Sequence, residues 1–212
     1  MTDFMPQAAV AGASVVSFAA DLPDSHREDI YLSTLYAQRA TRAACEDGLS
    51  GDWFEYYCRT LKFIGWDMPR PQSLLAVPGG SMGNAATEQI SARLGEVFSE
   101  QTNRALAALE RNAEALGIFE STSLSGDMGH FQIIPCVQKD AYRVQMGIYH
   151  RQFSFRGQVS QFLFSDQRDI VQNSVEQISV ITFNTLYYEQ FRAKVKRSVL
   201  SQSLKYLNNL DI

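Results

Sequence analysis

The chain carries no Lys or Arg before Arg27, so the positive leading region of a cleavable secretory signal is missing. No segment reaches the ~20 consecutive apolar residues of a membrane-spanning helix. Cysteine is scarce: Cys45, Cys58 and Cys136 are odd in number and widely spaced. A disulfide framework needs dense, paired cysteines and a zinc knuckle needs C-x-x-C, so the three read as reduced thiols. That fits a cytoplasmic protein, or one exported without a cleavable signal peptide. His26, His130 and His150 are the only histidines, and they form no H-x-x-x-H or H-x-E pair. Neither a P-loop nor a G-x-G-x-x-G turn occurs. No metal and no cofactor are expected. Positive charge is in deficit, 19 Lys+Arg against 23 Asp+Glu, which argues against nucleic acid as a partner.

What is present suffices for one core. The 212 residues are 45% hydrophobic, which excludes global disorder and suits a single domain with or without an arm. Ser25 and Glu28 form a capping box ahead of Ile30, Thr34, Ala37, Thr41 and Ala44, and the spacing predicts a helix over 26–46. Asp52 is placed to cap a second helix with Trp53, Tyr57, Leu61 and Ile64 on one face. Gly65 is placed to end it, in the left-handed conformation that glycine tolerates. A Pro- and Gly-rich stretch, 68–84, reads as a loop around a short strand at 74–77. Ile90, Leu94, Phe98, Ala105 and Leu109 predict one long helix over 85–116, with a break near Gly95 or Thr102-Asn103.

Beyond Asp127 the period changes from 3.6 to 2. Residues 131–137, 142–155, 159–164 and 178–183 predict consecutive antiparallel strands, with a bulge near 150–152. Phe183 and Tyr188 form a hydrophobic staple for a last helix starting at Asn184 or Thr185. An apolar series, Leu204, Leu207, Leu210 and Ile212, follows it. The expected fold class is α+β: N-terminal helices, an antiparallel sheet of about four strands, and a C-terminal helix packed on the sheet. All helices are expected on one face.

Between Asp3 and Asp21 the leading segment has no charge. Its Val10, Val15, Val16 and Phe18 need apolar shelter, so residues 1–22 are expected to be an arm on a domain spanning 23–212. The arm docks on its own domain, on a second copy, or on a partner or membrane surface. Residues 186–212 carry five positive and two negative charges. Arg192, Lys196 and Arg197 are therefore lesser candidates for an acidic partner or for head-to-tail contact between copies. A homo-oligomer is expected.

One motif suggests catalysis. Gly79-Gly80-Ser81-Met82-Gly83 matches the G-x-S-x-G of a nucleophile elbow, where a strained turn presents a serine to a histidine. Pro78 interrupts the preceding strand, and the parallel α/β scaffold of that motif is missing. A flexible loop is the preferred reading. A small serine hydrolase using Ser81 with His130 or His150 is the alternative. A lectin-like module using exposed Tyr and Trp near the hairpin tips is a third.

Two stretches carry a resemblance. The first is Asp52-Trp53-Phe54-Glu55-Tyr56-Tyr57, then Leu61 and Ile64-Gly65-Trp66. The second comprises Gly129-His130-Phe131-Gln132-Ile133, Cys136, Val144-Gln145-Met146, Phe162-Leu163-Phe164, Phe183-Asn184, Tyr187-Tyr188 and Arg192. Together they resemble an uncharacterised family of bacterial and fungal proteins with a W-[YF]-x-x-Y…[IV]-G-W signature. The resemblance implies fold-defining aromatic packing and gives Ser81 no catalytic role. The expected function is non-enzymatic: self-association, or binding of a partner or membrane surface, in the manner of a toxin or effector.

Overall fold

The computed structural model describes residues 7–75, 80–166 and 169–200, and residues 207–210 as backbone. Pro78, Gly79, Leu204 and Ile212, singled out above, and the end of the expected 74–77 strand lie outside the described residues. In chain order the elements are β1 (Ala8–Ala11), β2 (Ser14–Phe18), α1 (Asp24–Glu46), α2 (Trp53–Phe63), β3 (Trp66–Asp67), β4 (Gln72–Leu74), α3 (Met82–Leu94), α4 (Glu96–Glu110), α5 (Ala113–Ser123), β5 (Leu124–Ser125), β6 (Met128–Asp140), β7 (Arg143–Phe155), β8 (Val171–Asn184), α6 (Thr185–Leu200) and β9 (Leu207–Leu210).

All the strands join one mixed sheet in the order β3-β8-β7-β6-β2-β1-β9, with β4 pairing β8 and β5 pairing β6. Successive side chains of a strand point to opposite faces, and here both faces are apolar. Ile134, Cys136, Met146, Ile148, Ile181 and Phe183 face α1, α2 and α6. Phe131, Ile133, Tyr149, Phe153 and Ile178 face α3, α4 and α5. The α+β class holds, and α6 packs on the sheet through Tyr188, Val195 and Val199. The expected four antiparallel strands with helices on one face are corrected to a nine-stranded mixed sheet between two helical layers.

The leading segment makes the largest difference. β1 and β2 form a hairpin through Gly12, at φ 61, and β2 then runs parallel to β6, with Val15 opposite Ile133. Val10, Val15, Val16 and Phe18 are each no more than 1% exposed. They are sheltered inside their own chain, as the own-domain alternative expects, so residues 8–18 are sheet interior and not an arm for a second copy, a partner or a membrane. Burial of each such side chain contributes roughly 1.5–3 kcal/mol, which suffices to hold the hairpin in place.

Three local expectations are also corrected. The long helix is three: it breaks at Gly95, at φ 93, one of the two expected places, and again before α5, which Asn112 caps by accepting the Ala115 N–H. Residues 159–164 are not a strand, because Gln161 turns the chain at φ 51. The sheet register shifts at 138/140 and 154/155 rather than near 150–152.

Candidate functional site

The two ends of the long central strands differ in character. At one end β7 and β8 finish together, Arg143 opposite Asn184. Asn184 Oδ1 accepts the N–H groups of Leu186 and Tyr187 and so opens α6. Phe183 packs on Tyr188 at 5.1 Å, the expected staple. That geometry buries Tyr188 and turns Leu186 and Tyr187 outward. α2 ends at the same edge. Gly65, at φ 95, turns the chain into Trp66, which pairs with Phe183. A Cβ on Gly65 would lie 2.7 Å from the Tyr187 ring, so the position requires glycine twice over. The β6–β7 turn meets this edge too, where the Tyr142 carbonyl accepts the Thr185 N–H.

Four large side chains are left in water here: Phe63 64%, Leu186 56%, Tyr187 55% and Tyr142 53% exposed. Tyr187 also touches the half-buried Phe191, at 5.9 Å between ring centroids. Lys194 Nζ stands 5.3 Å from the centre of the Phe63 ring.

At the opposite end a buried polar chain runs inward from the β1–β2 turn. Gln38 of α1 accepts the Ala13 N–H at 3.0 Å and donates to Ala11 O at 2.9 Å and Ser14 Oγ at 2.7 Å. Ser14 Oγ donates to Gln132 Oε1 at 2.7 Å, and Gln132 Nε2 lies 3.1 Å from His150 Nδ1. The Phe54 ring stacks on His150 at 4.3 Å, and Trp53 contacts both histidines, His130 at 4.3 Å and His150 at 5.5 Å. Burial lowers the His150 pKa well below the usual histidine range. Burial, and then the charge of Arg42, push His130 down to about 4. Both rings are neutral at pH 7. Outside them lies a cleft of about 450 Å³ whose walls include Arg42, Glu46, Trp53, Met128 and Gln152.

Ser81 is not part of this arrangement. It caps α3, its Oγ accepting the Asn84 N–H at 3.2 Å. Met82 beside it packs into the core on the α3–α5 face, whereas His130 and His150 project from the face covered by α2. The sheet therefore separates the serine from both histidines, which corrects the hydrolase alternative. Gly83 serves packing: its N–H donates to Leu163 O at 2.8 Å, and a Cβ would lie 2.7 Å from that oxygen.

Two of the three candidate cations are engaged within the chain. Arg192 binds Asp29 in a bidentate contact, and Lys196 Nζ lies 2.6 Å from Glu28. They fasten α6 to α1, and Arg197 alone of the three lies exposed with no such contact described. Of the tryptophans, Trp66 is buried and Trp53 lines the cleft, so neither decorates a hairpin tip. Cys45, Cys58 and Cys136 are free thiols; burial pushes Cys58 up to about 12 and Cys136 well above its usual value. Among the described residues no three His, Cys, Asp or Glu side chains are grouped to hold a metal ion, and no helix is long and apolar enough to cross a membrane.

Sequence reasoning missed Phe63, Tyr142, Leu186 and Tyr187. The signal was available for Phe63 and Leu186: each is apolar but off the buried stripe of its helix. It missed Gln38 and Gln132 because their partners are fixed only by strand pairing.

No family model matches the chain. No curated protein matches it. Among solved structures it is similar to a delta-endotoxin (13% identity over 82% of this chain and 84% of that one, TM-score 0.44). It is also similar to the activated Cyt2Ba monomer from Bacillus thuringiensis subsp. israelensis (15% identity, 80% and 96%, TM-score 0.42). A third is the Evf virulence factor (13% identity, 97% and 85%, TM-score 0.36). At these TM-scores the likenesses carry no argument about function.

Proposed function

We propose that the protein acts without bond-making chemistry, as a toxin-like or effector-like protein that docks on a membrane surface through the apolar end of its sheet. One observation carries this reading: Phe63, Tyr142, Leu186 and Tyr187 are more than half exposed and lie on segments that meet at a single edge. Scattered exposed apolar residues are ordinary, but a cluster of them marks a binding surface. The composition favours a lipid interface over a protein partner. Tyrosine is amphipathic and settles at headgroup level, and Lys62, Lys139 and Lys194 lie on the segments that bear the patch, long enough to reach lipid phosphates. Val10, Val15, Val16 and Phe18 are buried in their own chain and lie outside this surface.

The test is flotation with vesicles of phosphatidylcholine and phosphatidylglycerol. The native protein is expected to float with the vesicles. Phe63→Ser combined with Leu186→Ser removes two side chains each worth roughly 1.5–3 kcal/mol when buried, so the variant is expected to stay behind. Native protein that fails to float at any phosphatidylglycerol content would rule out the reading.

A further inference from the structure

We infer that the recess at the other end of the sheet, between α1, the start of α2, the end of α5 and the start of β6, binds a neutral polyhydroxylated ligand, a pyranose sugar. The recess has two parts. The outer cleft, about 450 Å³, falls within the roughly 300–1,000 Å³ of small-molecule sites. Behind it lies an inner chamber of about 40 Å³ that reaches Gln38. Arg42, Trp53, Thr122 and His130 line both, so the two share a wall. The chamber exceeds the ~10–15 Å³ that one water requires and so accepts a single hydroxyl-sized group.

Charge selects the ligand class. Arg42 and Glu46, four residues apart on α1, bring opposite charges to the outer wall, Arg39 adds a guanidinium to the inner chamber where it donates to Ser198 O, and His130 is neutral. An anion would face Glu46 and a cation would face Arg42, whereas an uncharged ligand meets neither penalty. Hydrogen bonding narrows it further. Arg42 only donates, Glu46 only accepts, and Gln152 does both. A ring bearing several hydroxyls, each both donor and acceptor, matches that set. Trp53 and Met128 supply the apolar wall that the C–H face of a pyranose requires. A second observation comes from behind the wall. His150 is 1% exposed, and its Nε2 has no hydrogen-bond partner among the described residues.

This site lies at the Met128 end of β6 and the apolar patch at the Asp140 end. The strand is 13 residues long, which puts them roughly 40 Å apart. The two surfaces can therefore fail separately. The experiment is isothermal titration with glucose, galactose, mannose, N-acetylglucosamine, maltose and lactose, alongside inorganic phosphate and AMP. At least one sugar is expected to bind saturably, with neither anion binding. Glu46→Ala and Gln152→Ala, neither of which loses a described hydrogen bond, are expected to keep the native melting temperature. Each is expected to weaken sugar binding roughly tenfold, the effect of about 1.4 kcal/mol for one hydrogen bond. Phe63→Ser with Leu186→Ser is expected to leave sugar binding unchanged. Silence across all six sugars, binding of the anions alone, or sugar binding undisturbed in both cleft variants would overturn the assignment.

Discussion

Arg192 and Asp29, 163 residues apart, meet through three N–H···O contacts of 2.8 to 3.1 Å that tie α6 to α1. Asp29 is buried, and burial raises its carboxyl above the usual range even with the guanidinium beside it. The contact thus offsets only part of the desolvation cost. Removing the arginine leaves a buried carboxylate alone. Arg192→Ala is expected to cost about 2 kcal/mol, less than for a fully buried pair because the Arg192 side chain is 38% exposed. Replacing both, Asp29→Leu with Arg192→Met, is expected to recover most of the loss. Urea denaturation of the three variants measures it, and equal losses in the single and double variants would contradict the account.

Gln38 is expected to be the least replaceable polar residue of α1. Its amide answers the Ala13 N–H, the Ala11 carbonyl and the Ser14 hydroxyl, all buried in the β1–β2 hairpin. Each group orphaned without water costs about 1–3 kcal/mol. Gln38→Leu is expected to lower stability by about 3 kcal/mol and to speed hydrogen exchange at the Ala13 amide. An exchange rate at Ala13 equal to the native one would show that the hairpin is held by its apolar side chains alone.

The helices and the long hairpins were legible in the sequence because their signals are local. Asp52 caps α2, Gly65 ends it, and the Phe183–Tyr188 staple opens α6, all within a few residues of one another. The first strands were not legible. β1 and β2 are four and five residues long and rich in Ala and Ser, and β2 pairs in parallel with β6, some 118 residues away at Ser14 and Gln132. No short window contains that partner. Lacking it, an uncharged apolar segment reads as an arm whose dock, its own domain or another surface, is left open, although the sheet needed it as interior. The start of α1 misled for the opposite reason. Ser25 and Glu28 fit a capping pattern, but Pro23 occupies the N-cap and no side chain caps the helix. The sites were least visible: the apolar patch draws on three separate segments and the cleft on five.

Ser81 and Gly83 separate a structural loop from a nucleophile elbow. Ser81→Ala removes the cap of α3 and is expected to cost about 1 kcal/mol. Gly83→Ala drives a Cβ against the Leu163 carbonyl oxygen, a backbone atom, and is expected to cost more, about 1–3 kcal/mol. Thermal melts measure both. Hydrolysis of p-nitrophenyl acetate is expected to be indistinguishable between native protein and Ser81→Ala. A drop of a hundredfold or more in a stably folded Ser81→Ala would restore the hydrolase reading.

The histidines set an acid limit on the fold. An unfolded histidine takes up its proton near pH 6.5, whereas His130 does so at about 4 and His150 well below the usual range. Between those values the unfolded chain binds more protons than the folded one. Stability is therefore complete above about pH 6.5 and is lost as the pH falls toward 4. For His130 alone the loss amounts to roughly 3 kcal/mol, and His150 adds to it in the same direction. Three contacts act on the pair: Arg42 repels a proton on His130, His130 repels a proton on His150, and Gln132 meets His150 Nδ1. Phe54, stacked on the buried His150, keeps water from that ring, while His130 is half-buried against Trp53. Acid is thus expected to loosen α2 from the sheet first. Carboxylates titrate over part of the same range, so the variant isolates the histidine share: His130→Gln is expected to flatten the decline between pH 6.5 and 4.5. Urea denaturation at pH 7, 5.5 and 4.5 measures it, and parallel declines in native protein and His130→Gln would show that the buried ring does not set the limit.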